Sequence, residues 1–243
     1  VPALELVGAP IPPSRYSHIH WQPTPPPLQY GIDYTFAHRH GGEPVRWRRD
    51  SPIIVRIAGP SGEQAVIAPG ITLGFALAVV LAELRALSGL NLAAGESGPA
   101  AFDPSAVPEQ EIHVGYLPAQ LVAPLFPRYS FPRCFDLAGS GGAALSADGS
   151  RYASGFAIIN AGAGVTNTGP GQALAVLRHE LAHALGLGHA GRRSLIMHYR
   201  ITAGVTGYGR GDRHGLALVG RPPAPVTCTP IDRSDLRTPP CAV

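Results

Sequence analysis

The stretch His179-Glu180-Leu-Ala-His183-Ala-Leu-Gly186-Leu-Gly-His189 places three imidazoles, one carboxyl and one glycine at spacings that a helix and a sharp turn can gather around a single point. Four residues separate His179 from His183, so on a helix the two rings stack on one face and can grip one ion at roughly 2.0–2.1 Å each. Glu180 is rotated from His179 by roughly 100°, too far to share the ion and well placed to hold a water beside it. Gly186 can take the left-handed conformation that ends a helix, which returns the chain and brings His189 in as a third nitrogen ligand. Three neutral nitrogens with an open fourth position describe a catalytic zinc site, with Glu180 as its general base.

Chance would place the five-residue core in about one sequence in a hundred of this composition, and the added Gly and His lower that more than a hundredfold. The extended motif is that of the metzincin zinc endopeptidases, whose second mark is a methionine-containing turn after the third histidine. Met197 is the sole methionine of the 243 residues and lies in Ser194-Leu-Ile-Met197-His-Tyr199, eight residues beyond His189. In the family that turn is an apolar floor beneath the zinc imidazoles. Within the clan, roughly residues 30–228 most resemble the matrixin-like secreted enzymes of bacteria. Three stretches carry the likeness: Pro44-Val-Arg-Trp47 leading into Ile53–Ile57, the histidine helix, and Tyr208–Gly220. Ala190 stands where matrixins usually carry Ser and astacins Glu, and Met197-His198-Tyr199 resembles an astacin turn.

The resemblance implies an α+β, metzincin-type zinc protease fold: a mixed twisted sheet with an antiparallel edge strand, a long active-site helix and a small C-terminal subdomain. It implies one catalytic Zn2+, a protein or peptide substrate and a secreted location; matrixins also carry a second, structural zinc. It assigns the cleft-bordering edge strand to Gly155, Phe156, Ala157, Ile158, Ile159 and Asn160, where an extended peptide adds as a further strand. Tyr199 matches the astacin tyrosine that ligates zinc and then swings to the substrate oxyanion, the alternative being a tyrosine packed under the cleft. Pro132-Arg133-Cys134 matches the opening of the matrixin cysteine switch, but follows a predicted strand where the family's switch precedes the domain.

A chain of 243 residues with 45% hydrophobic and 14% charged residues is an ordered globular protein able to bury a full core. Net charge is +3, and the arginines are spread along the chain, which argues against nucleic-acid binding. The longest apolar run, Gly70 to Ala82, is too short for a membrane span and ends at Glu83. The chain opens at Val1 with no leader pattern behind it, consistent with prior removal of a signal or propeptide. A monomer is expected. Cys134, Cys228 and Cys241 are an odd number, so one disulfide and one thiol is the default for a secreted protein, with connectivity open. The bacterial relatives pair a cysteine near the C-terminus with one shortly after the Arg-Trp, where this chain has Ser51.

Residues 1–44 form a proline-rich arm lying on a catalytic domain of residues 45–243, whose lower part begins after about residue 189. Strand signals run from Arg46 through Ala58 and over Glu111–Leu117. Leu73, Leu77, Val80, Leu81, Leu84 and Leu87 recur at helical spacing, with Gly89 as the stop. Residues 139–149 are glycine-rich. The zinc helix begins near Pro170 and buries Leu174, Leu177, Leu181 and Leu185. His38 and His40 alternate, as a structural metal pair would, yet lack a third ligand; no motif marks a calcium site. Asp212 is expected to cap the last helix. Two rival functions share these residues: a non-catalytic zinc-binding or adhesion module, and a zinc amidase acting on non-protein substrates.

Overall fold

The computed structural model describes residues 26–125, 138–162 and 169–222 of the chain. The three cysteines, His18, His20 and the prolines of residues 1–25 lie outside that range. Four two-residue strands, β1 (Thr35–Phe36), β2 (Arg39–His40), β3 (Glu43–Pro44) and β4 (Arg46–Trp47), precede β5 (Ile53–Ile57). The ribbon β6 (Val66–Ala68) and β7 (Ile71–Thr72) leads into helix α1 (Leu73–Ser88), followed by β8 (Leu92–Ala94), β9 (Glu111–Leu117) and α2 (Ala119–Leu125). The chain continues through β10 (Gly139–Leu145), β11 (Arg151–Asn160), α3 (Pro170–Ala184), β12 (Leu187–Gly188) and α4 (Arg210–Val219).

The central sheet is mixed and mostly parallel, in the order β10-β11-β9-β5-β8, with β4 also parallel to β11. Alternation in the strands sorts two faces. Ile53, Val55, Ile57, Ile112, Val114, Ala157 and Ile159 meet the buried sides of α1 and α3 in the main core. Leu117 and Ile158 turn the other way and pack with Val122 of α2, alongside Phe102, Leu125 and Phe156. Helix α1 starts where the Thr72 side chain accepts from the Phe75 N–H and stops at Gly89, whose φ of 68° needs no Cβ.

One expectation is overturned. Gly155–Asn160 does not border the sheet: β11 is flanked by β9, parallel, and by β10, antiparallel. The antiparallel edge strand is Gly139–Leu145, drawn from the glycine-rich stretch. The apolar run Phe156–Ile159 reports a strand enclosed on both sides and both faces, as interior parallel strands are. Glycines suit the edge for a different reason. A Cβ on Gly141 would lie 2.8 Å from Glu180 Cα, so β10 rests directly on the backbone of α3.

Residues 32–37 are joined to the segment that follows α3. Strand β1 pairs antiparallel with β12, Ile32 O accepts from the N–H groups of Gly191 and Arg192, and Asp33 pairs with Arg192. Among the described residues no helix is long and apolar enough to cross a membrane.

Candidate metal centre

Helix α3 is buried nearly all round, since β10 and β11 cover one side and α1 another. Leu177, Leu181 and Leu185 are buried as expected, while Leu174 is only half-buried. Its C-terminal end is built for a turn. The Trp47 indole N–H donates to Ala184 O at 3.0 Å, and Gly186 follows with φ 112°. A Cβ at Gly186 would stand 2.7 Å from the Tyr152 ring, so glycine is required there by conformation and by space. Strand β12 then carries the chain to His189.

The three imidazoles converge. His183 Nε2 lies 3.0 Å from His179 Nε2 and 3.1 Å from His189 Nε2, and this is the metal-competent cluster found among the described residues. A tetrahedral ion with Zn–N bonds of 2.0–2.1 Å needs nitrogens about 3.3 Å apart, so the trio fits zinc with a small outward relaxation. Two rings are oriented by carbonyls: His179 Nδ1–H donates to Ile196 O at 2.6 Å and His183 Nδ1–H to Leu187 O at 2.7 Å. Those bonds leave Nε2 of each ring as the lone-pair nitrogen facing the centre. Burial holds His179 down to about 4 and His183 down to about 3, and lowers His189 as well. All three are therefore neutral near pH 7, the state a metal requires.

Glu180, 4% exposed, occupies the crevice between α3 and β10; a Cβ on Gly139 would fall 2.7 Å from its Oε1. Burial pushes its carboxyl well above the usual range. A buried carboxyl with raised proton affinity, next in sequence to His179, can take a proton from a water and return it.

Met197 is buried and its carbonyl accepts from the N–H of Ala190, directly after His189. Asp212 of α4 underpins this turn. Its carboxylate accepts from the N–H groups of Ile196 (3.0 Å), Met197 (3.2 Å) and Gly209 (2.9 Å). The cap expected from sequence is present, and the bonds to the methionine turn, which nothing local in sequence signals, join α4 to the carbonyl that orients His179. Tyr199 is 60% exposed rather than packed under the cleft, with its ring 4.5 Å from that of His198 and the Arg200 guanidinium over it at 5.5 Å. His38 lies against Tyr152 and forms no metal cluster with His40 among the described residues.

No protein-family model matches the chain, and no curated protein does. Among solved structures it is similar to high choriolytic enzyme 1, a hatching-enzyme zinc-protease of the medaka fish Oryzias latipes, at 14% identity and a TM-score of 0.34. That alignment covers 72% of this chain and 94% of the other.

Proposed function

We propose that the chain is a zinc-dependent endopeptidase of the metzincin type, secreted, acting on proteins or peptides. The observation that carries this is the convergence of the His179, His183 and His189 Nε2 atoms; a buried carboxyl, that of Glu180, stands next to His179 on the same helix. Zinc, when bound by these three nitrogens, would polarise the scissile carbonyl and acidify a water on its open side. Glu180 accepts that water's proton as its oxygen attacks the carbonyl carbon, then passes it to the departing amine nitrogen. Among the described residues strand β10 pairs only with β11, and its other edge would offer main-chain N–H and C=O groups to an extended substrate. The Tyr199 phenol, exposed beside the methionine turn, donates to the oxyanion. Supporting these roles are the site's neutral imidazoles, its buried base and the adjacent open strand edge.

The test is hydrolysis of a denatured protein by the full chain, abolished by a chelator and restored by zinc. A fully zinc-loaded chain without turnover would point instead to a binding module on the same scaffold. Tyr199→Phe should lower kcat by roughly 10²–10³ with KM nearly unchanged. A change within about threefold excludes the phenol from the oxyanion's donors.

A further inference from the structure

The third ligand is held differently from the other two. His189 is exposed, and among the described residues its Nδ1 makes no hydrogen bond, whereas His179 and His183 each donate to a carbonyl. Its placement therefore rests on its main chain. From Gly186 to Arg192 that main chain is bonded to the segment Ile32–Ala37: Ala37 N–H to Gly186 O at 2.8 Å, the β1–β12 pair, and Ile32 O to two N–H groups. One side chain joins in directly, the Thr35 hydroxyl, which donates to His189 O at 2.7 Å.

The partner strand is fitted to that hydroxyl. Thr35 faces Gly188 in the register, and a Cβ on Gly188 would meet Thr35 Oγ1 at 2.5 Å. Gly188 is thus the residue that lets the hydroxyl reach the next carbonyl. Strand β12 also serves the second ligand, since Leu187 O, opposite Phe36, accepts from His183 Nδ1–H. One edge of a two-residue strand orients His183, and the other edge is held by β1.

We infer that Thr35 is a positioning residue of the metal centre, fixing through His189 O the main-chain position from which the third imidazole reaches the ion. Loss of such an outer contact typically costs 10–100-fold in metal affinity. The inference rests on the zinc reading above, and competition of the full chain with a chromophoric zinc chelator separates the two. Thr35→Val keeps the shape and removes the donor; Thr35→Ser keeps the donor. Expected are a zinc Kd raised about tenfold for Val, a Kd within about threefold of the parent for Ser, and metal-free proteins of unchanged melting temperature. Should the Val variant not fold, Thr35→Ala against Thr35→Ser makes the same comparison. A donor-free variant that binds zinc as the parent does, or a Ser variant as weak as the donor-free one, overturns the role of the hydroxyl while the zinc site stands. A parent that binds no zinc overturns both.

Discussion

Glu180 is buried in a crevice where an apolar side chain would cost nothing in desolvation, so its carboxyl is held there against the preference of a charged group for water. Glu180→Ala should retain stoichiometric zinc and the native melting transition while kcat falls 10²–10⁴-fold, checked by metal analysis beside kinetics. His183→Ala should lose metal and activity together. The ligands themselves predict a pH dependence. Their pKa values in the folded chain lie below the ordinary 6.5, so between that value and about 4 the unfolded chain binds more protons and these groups contribute stability that is lost as pH falls. Within the folded protein, protons compete for His179 and His183 only as pH drops through about 4 and about 3. Zinc should be retained near pH 7 and released below about pH 4, measured as bound metal after gel filtration. Asp212 is 1% exposed, and burial raises its pKa although three N–H donors pull it down. Asp212→Ala strands the buried N–H groups of Ile196 and Met197 and should cost on the order of 2–4 kcal/mol in denaturant unfolding.

At the scale of elements, α3 and β10 make the site by close approach. Gly139 and Gly141 are two residues apart and so share the face of β10 that lies on α3, where neither can bear a side chain. Gly141→Ala should destabilise the fold by about 1–3 kcal/mol or more, since backbone opposes the new methyl on the helix side; the shift in urea midpoint checks this. Helices α1 and α3 were legible in sequence because their signals are local: the leucine spacing and Gly89 of α1, and Pro170 and the histidine spacing of α3; α2, with Pro124 inside it, read as a loop. The edge strand was not. A strand shows in sequence through alternating apolar residues, and here glycines replace them because the neighbour across the interface is backbone. The apolar run of β11 made that strand conspicuous, but a run of apolar residues reports burial and does not say which strand is outermost.

At the scale of the molecule, residues 29–37 belong mechanically to the lower part of the fold through β1, the Ile32 carbonyl and the Asp33–Arg192 pair. A chain beginning at Val45 should melt about 6–20 °C lower than the full chain by calorimetry, for a loss on the order of 3–5 kcal/mol, and should bind zinc more weakly. A truncated chain with the parent's melting temperature would make the segment a dispensable arm. What the sequence determined by itself is the candidate metal cluster, because His179, Glu180 and His183 lie within two turns of one helix whose geometry dictates how they face, and Gly186 follows its end. Their partners Ile196 O, Leu187 O, Thr35 Oγ1 and the Asp212 carboxylate were decided by tertiary structure. Thr35 is 154 residues from His189 and Asp212 is 16 from Ile196, separations over which neither helical nor strand periodicity carries information. Only the packing of β1 on β12 and of α4 under the methionine turn brings Thr35 to the backbone of His189 and Asp212 to the backbone of the turn.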